Sequence, residues 1–187
     1  MDRVRVGIIG CGKVTEMKSG PAFQKVPGSS LEMVMRRDEE KLISYAERHG
    51  VKRYTTDYRE LLEDPAILKR GRPAFVALGD NKLRVELLQK LAAAGYSTPV
   101  FISDAASVSP SAVLEPGCII LPQAYVGADA HLGVGCIVNA GAIVDHNAHL
   151  GRGVHVAPGG IVKASAEVAD FGKVDSGEIV RSPWENQ

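Results

Sequence analysis

The sequence has no apolar run approaching the ~20 residues that a membrane-spanning helix needs. Its opening stretch, "VRVGIIG" before a glycine turn, is too short for the apolar region of a secretory signal peptide. Neither charge sign dominates. The 22 Lys and Arg balance 22 Asp and Glu, so no global field favours nucleic acid or an anionic membrane. Cysteine is scarce and odd in number at three, which makes no disulfide framework and points to a reducing compartment. These absences leave a cytoplasmic protein without membrane or nucleic-acid partners. Its 187 residues suffice for one ample core or two small ones.

What the sequence does have is a period of six. Every sixth residue from Ile102 through Val180 is Ile, Leu or Val, fourteen in succession, although these types make up only about a quarter of the chain. The position two before each aliphatic is usually small, as at Ala106, Ala112, Cys118, Ala124, Ala130, Cys136, Ala142 and Ala148. A helix repeats near 3.6 and a strand near 2, so six fits neither. Three faces of six residues make a triangular β-helix, whose stacked coils bury a shared core. The aliphatic then points inward, and glycines after it, as at Gly127, Gly133 and Gly151, relax the corners. About four coils fit between Val108 and Val174, with Glu178, where a small residue belongs, marking an end or cap. Cys118 and Cys136, eighteen apart, stack on adjacent coils, close enough for a disulfide but expected as small core fillers.

The first hundred residues alternate strands and helices. "VRVGIIG", "SSLEMVM", "RPAFVALG" and "STPVFIS" read as strands; "DEEKLISYAERHG", "DYRELLED" and "NKLRVELLQKLAAAG" read as amphipathic helices. Such alternation implies a small parallel sheet of Rossmann type. The fold class is therefore α/β plus β-solenoid. Residues 1–102 form the first domain, 103–182 the β-helix and 183–187 a tail. The turn "GCGKVT" offers Gly10 and Gly12 for close approach of a phosphate, or serves only as a strand-to-helix turn.

Residues 3–64, notably "VRVGIIGCGKVTEMKSGPAF" and "HGVKRYTTDYRELLEDP", resemble the start of the Gfo/Idh/MocA oxidoreductases. The resemblance implies an acidic residue after the second strand to hold the cofactor ribose. Here "VMRRD" places Arg36 there, which suits the 2′-phosphate of NADP or another phosphorylated ligand, or is a solvated strand end. The Glu-Lys-Pro motif of that family does not occur in the sequence, so hydride transfer is not the expected activity.

From "FVALGDNKLRVELLQKLAAAGY" to about residue 165 the chain resembles the sugar N- and O-acetyltransferases of sialic-acid and bacillosamine type. Those enzymes pair a small Rossmann-like domain with a left-handed β-helix. The resemblance implies Asp80, Asn81 and Arg84 as contacts for a nucleotide sugar; alternatively they are a helix N-cap and a surface arginine. The two resemblances meet near Pro65 to Pro73.

The stretch "VDHNAHLGRGVH", from Val144 to His155, holds three of the five histidines, as a metal site, a catalytic base or solvated turn residues. His131 and His149 lie eighteen apart and stack near a corner, and His155 has the same local position on the next face. "VDHNAHLG" matches the acetyltransferase motif in which the histidine is the base, so the resemblance assigns that role to His146. An imidazole accepts a proton from an attacking amine or hydroxyl near neutrality. Asn147 stands where the family often has the orienting carboxylate, and Asp145 is the substitute. His155 is implied to face substrate, and Gly159 and Gly160 to contact acetyl-CoA. The γ-class carbonic anhydrases, also left-handed β-helices, bind zinc with a His-x4-His pair and a third histidine. Spacings of three and six do not reproduce that pair, and no metal is expected. His49, in "ERHG", reads as a helix C-terminal residue.

The expected function is thus acetyl-CoA-dependent acetylation of an amino or hydroxyl group on a nucleotide-linked or sialic-type sugar, in a homotrimer. The acetyltransferases usually continue for further coils that hold the donor, whereas this chain runs "VADFGKVDSGEIVRSPWENQ". Two rivals follow: a non-catalytic trimer that binds a nucleotide or sugar nucleotide, and an NADP-dependent oxidoreductase.

Overall fold

A computed structural model describes residues 4–11, 16, 20–65, 67, 73–182 and 184. Contacts divide it into two compact units, residues 1–70 and 71–187.

The first unit has the order β1 (Val4–Ile9), α1 (Gly20–Lys25), β2 (Ser29–Met35), α2 (Glu39–Arg48), β3 (Arg53–Thr55) and α3 (Tyr58–Glu63). Its strands form one parallel sheet in the order β1-β2-β3. β2 is buried on both faces, as the middle strand of a covered parallel sheet must be. Leu31 and Val34 pack with Leu42, Tyr45 and Ala46 of α2. Met33 and Met35 pack with Leu61 of α3 on the other side. Asp38 caps α2 by accepting from the Lys41 amide, and Asp57 caps α3 by accepting from the Arg59 amide. His49 is the C-cap of α2, as its sequence position suggested, and its Nε2 lies 3.0 Å from Glu16 Oε1. Hydrogen bonding by Arg48 comes first in lowering the Glu16 carboxyl to about 2.

Strand β3 was not legible as a separate strand: it has three residues, of which only Thr55 is buried. Conversely, the described part of "RPAFVALG", residues 73–79, is no strand. Its sheet contact is a single bridge from Pro73 to Ser97, extended by the bond from Ala74 N to Ser97 O at 2.9 Å. Proline has no N–H to give a ladder. "STPVFIS" contributes only Phe101–Ile102, which is the first rung of the coils.

The second unit is α4 (Asn81–Ala93) and a left-handed parallel β-helix. Fourteen two-residue strands make three parallel walls. The first stacks Phe101–Ile102, Ile119–Ile120, Ile137–Val138, His155–Val156 and Lys173–Val174. The second stacks Ser107–Val108, Tyr125–Val126, Ile143–Val144, Ile161–Val162 and Ile179–Val180. The third stacks Val113–Leu114, His131–Leu132, His149–Leu150 and Glu167–Val168. Four coils are complete and a fifth has two walls. Ile102 on the first rung is 44% exposed, whereas the predicted aliphatics from Val108 to Val180 pack into the core, and those from Ile120 through Val162 are fully enclosed. Removing each from water contributes about 1.5–3 kcal/mol. The small positions, Ala124, Ala130, Ala142 and Ala148, fill the remaining core. Cys118 and Cys136 are buried free thiols in it. The ladder does not stop at Glu178. Ile179–Val180 pairs with Ile161–Val162, and Glu178 Oε2 accepts from the Asp175 amide at 2.7 Å.

Two kinds of glycine serve the corners. The left-handed backbone recurs every six residues from 117 to 177, three residues after the inward aliphatic, and is taken by Gly153 at φ 67° but also by Asn147 at φ 56°. The glycines directly after the aliphatic act differently. A Cβ on Gly127 would lie 2.6 Å from His146 N, and one on Gly133 would lie 2.7 Å from Arg152 N. These glycines admit the next coil rather than relaxing a dihedral angle.

Candidate functional site

His146 sits in the turn that leads from the second wall to the third. Its backbone is fixed on three sides. His146 N donates to Asp145 Oδ1 at 2.7 Å, Asn147 N donates to Ala128 O, and Ser165 N donates to His146 O. The imidazole is exposed, and its Nδ1 lies 2.9 Å from Asn147 Nδ2. With the Asn147 amide donating, His146 Nδ1 carries a lone pair and Nε2 the proton. With the amide turned over, Oδ1 accepts from Nδ1–H and Nε2 is free to take a proton. The structure thus brings Asp145, His146 and Asn147 together in one turn.

His155 stands elsewhere, on the first wall between Ile137 and Lys173. Its Nε2 lies 3.2 Å from Asn139 Nδ2. Burial holds its titration below the ordinary 6.5, and the positive charges of Arg84 and Lys173 lower it further. Asn139 was not foreseen. Its signal was the same eighteen-residue register, which places residue 139 two beyond the strand partner of His155. Gly159 is exposed in the turn from first wall to second, and Gly160 is buried beside it.

The three residues expected on the acceptor have structural work. Asp80 is the N-cap of α4, with its carboxylate accepting from the Leu83 amide at 3.0 Å. Asn81 Nδ2 donates to the carbonyls of Phe171 and Gly172, both at 3.0 Å. Arg84, expected on a sugar ligand or at the surface, has neither place: it is 0% exposed. It donates to Gly135 O, Leu78 O and Gly153 O at 2.6–2.7 Å and to Asn81 Oδ1 at 3.0 Å. The reason is that helix α4 packs against the corner glycines, leaving carbonyls that need donors. A Cβ on Gly135 would lie 2.6 Å from Leu88.

In the first unit Gly10 ends β1 at φ 84°. Its amide and that of Cys11 both donate to Met35 O, at 2.9 and 3.2 Å. Arg36, at the end of β2, donates from Nη1 to Cys11 O at 2.9 Å. The described residues therefore hold a left-handed glycine and one cation, with both turn amides already spent. Gly12 lies outside them. They do not by themselves assemble a cradle for a dinucleotide pyrophosphate. Cys11 is buried, which raises its thiol.

An open groove of about 380 Å³ on the third wall is lined by His149, Gly151, Glu167, Val168, Ala169 and Asp170. No residue singled out for catalysis or substrate in the sequence lines it. Among the described residues no helix is long and apolar enough to cross a membrane.

Comparison with known proteins gives two likenesses. The acetyltransferase domain of PglB from Neisseria gonorrhoeae, solved in complex with acetyl coenzyme A, is 26% identical with a TM-score of 0.70, over 96% of this chain and 83% of that one. A histidine-to-alanine mutant of GDP-perosamine N-acetyltransferase from Caulobacter crescentus, solved with CoA and GDP-perosamine, is 27% identical with a TM-score of 0.67, over 90% and 75%. An oxidoreductase of Formosa agariphila is 52% identical over 65 residues, 35% of this chain. The chain spans about a fifth of that curated relative. A family model described as "Oxidoreductase family, NAD-binding Rossmann fold" matches residues 4–102, and so extends beyond the residues 3–64 that carry the sequence resemblance. By that match, just over half of its length, the chain belongs to the Gfo/Idh/MocA oxidoreductase family, and its β-helix is built like those of sugar N-acetyltransferases.

Proposed function

We propose that the chain is a cytoplasmic acetyl-CoA-dependent acetyltransferase acting on the amino group, or a hydroxyl, of a nucleotide-linked or sialic-type sugar, with His146 as general base. The observation that carries this reading is the His146 turn: an exposed imidazole on a backbone fixed by both adjacent coils, in the fold of enzymes solved with CoA and a sugar nucleotide. His146 Nε2 takes the proton as the acceptor nitrogen attacks the thioester carbonyl. A backbone amide of a neighbouring wall or subunit donates to the oxyanion. The N–C bond forms, the C–S bond breaks, and the imidazolium returns its proton to the leaving thiolate. Asn147 orients the ring, and Asp145 holds the turn.

We also propose that the active form is a homotrimer. The second wall supports this, because Tyr125, Ile143 and Ile179 stack outward on it while 37–45% exposed. His146 and Gly159 lie at opposite edges of that wall and His155 lies off it, so a second copy on it would close the site across the interface. Of the acceptor set, only Asp80 keeps an exposed position for a ligand.

The test is thiol release from acetyl-CoA with nucleotide-linked amino sugars, run beside calorimetric titration with acetyl-CoA. Saturable acetyl-CoA binding, with turnover lowered by about 10²–10⁴ in His146→Ala, is the expected result. Absence of acetyl-CoA binding at millimolar ligand overturns it and favours a non-catalytic sugar-nucleotide-binding trimer.

A second reading rests on the family match over residues 4–102 and on Arg36 at the end of β2. An NADP-dependent oxidoreductase would bind NADPH in preference to NADH, and Arg36→Ala would abolish the preference. Equal or absent binding of the two nucleotides ends that reading.

A further inference from the structure

We propose that His131 and His149 form a two-imidazole site for a borderline divalent metal ion, with zinc as its best-matched occupant, on the third wall of the β-helix. Along the chain the two are eighteen apart, outside any local ligand motif. The coils make them direct strand partners. Their rings lie 4.7 Å apart, and their Nδ1 atoms are 3.3 Å from each other. Two Zn–N bonds of about 2.0–2.1 Å that span this separation subtend roughly 105°, close to the tetrahedral angle zinc adopts.

The surroundings fit the same reading. Glu115, on the next wall position toward the N-terminus, places Oε1 3.2 Å from His131 Nε2. A carboxylate there takes the Nε2 proton as a hydrogen bond and leaves the Nδ1 lone pair for the metal, the usual support for a ligating histidine. In the metal-free pair, one Nδ1 donates to the other. On binding, the metal replaces that bridging proton, and the proton moves to Nε2 of His149. Both backbones are held by the coil ladder, His131 N on Ala148 O and His149 N on Ala166 O, at 2.9 Å each. Little chain entropy is then lost on binding.

Among the described residues no group of three or more His, Cys, Asp or Glu is placed to hold a metal. Water therefore completes the coordination, and the open groove beside His149 has room for it. Glu167 is the strand partner of His149 on the following coil and adds negative charge to the same wall. Free of any role in acetyl transfer, the site would stiffen the coils beside the His146 turn.

The experiment is a zinc titration of the full chain against a chromophoric chelator, with cobalt absorption as a geometric readout. One zinc per chain and a four-coordinate cobalt spectrum are expected. His131→Ala and His149→Ala each weaken binding at least tenfold, and the double variant abolishes it. Glu115→Gln weakens it about tenfold, as loss of a supporting carboxylate does. Both histidines point outward from the core, so the variants should keep the thermal midpoint of the metal-free chain. Zinc binding that survives in the double variant, or no saturable binding by the unaltered chain at millimolar zinc, overturns the proposal.

Discussion

Arg84 and Gly135 are 51 positions apart in the chain and joined by a hydrogen bond of 2.6 Å from guanidinium Nε to carbonyl. The same guanidinium reaches Gly153 on the next coil and Leu78 before α4. One buried cation thus ties the helix to two successive coils and to the segment that leads into it. Burial lowers its ordinary titration, but the ring of acceptors keeps a strong base in place. Arg84→Met removes the donors and leaves three carbonyls facing apolar surface. At about 1–3 kcal/mol for each stranded acceptor, the loss is roughly 3 kcal/mol or more. Urea unfolding monitored on the β-helix unit checks it. A midpoint unchanged from the parent would mean that Arg84 is dispensable to the packing.

Asn147 decides which nitrogen of His146 can act as base. An amide either donates to Nδ1 or accepts from it, whereas a carboxylate only accepts. Asn147→Asp therefore holds Nδ1–H and frees Nε2, and it also stabilises the imidazolium. Aspartate tolerates the left-handed backbone of this position nearly as well as asparagine. The expected outcome is a rise in kcat/KM of about tenfold, while His146→Ala lowers it by about 10²–10⁴. Steady-state rates with acetyl-CoA and a sugar nucleotide measure both. A decrease in the Asn147→Asp variant would show that the ring does not work through Nε2.

His155 makes stability depend on pH in a defined direction. Its folded titration lies below 6.5, so the unfolded chain binds the proton more readily. Stability is full above about 6.5 and falls as the pH drops through the folded value. His155→Gln removes this term and flattens the decline. The measurement is the urea midpoint against pH for the two proteins. Parallel curves below pH ~6.5 would remove His155 as the source.

The coils were legible from residues 102 to 180 because the inward positions recur in one register, and those from Ile120 through Val162 meet the same enclosed environment, where only aliphatics fit. Outward positions carry no such pattern, and site residues were correspondingly harder to read. His146 was singled out because a motif surrounds it. Arg84 was misread because its environment is made by Gly135 and Gly153, remote in the chain, and an arginine on an exposed-looking helix gives no sign of burial. The partnership of His131 with His149 was visible in the eighteen-residue spacing, but the Nδ1 separation that suggests a metal was not. The strand expected at "RPAFVALG" failed for a similar reason: apolar content is local, whereas a hydrogen-bonded neighbour is not.

Gly127 connects the packing of the coils to the candidate base. Any Cβ there would meet His146 N at 2.6 Å, the preceding carbonyl carbon of Asp145 at 2.9 Å and His146 Cα at 3.0 Å. These are backbone atoms, so no side-chain rotation can relieve the contact. The turn must lift away from the coil beneath it, lengthening the bond from Asn147 N to Ala128 O that fixes the imidazole. Gly127→Ala should then cost about 1–3 kcal/mol of stability, the usual penalty for overpacking. It should also lower kcat more than it raises KM for acetyl-CoA, because displacement of a base by about 1 Å costs up to 10²-fold in rate. Gly133→Ala is the matched control, with a similar clash against Arg152 N at 2.7 Å but at a corner that carries no catalytic candidate. Equal losses of activity in the two variants would trace the effect to the fold alone, whereas a loss confined to Gly127→Ala would tie it to the position of His146.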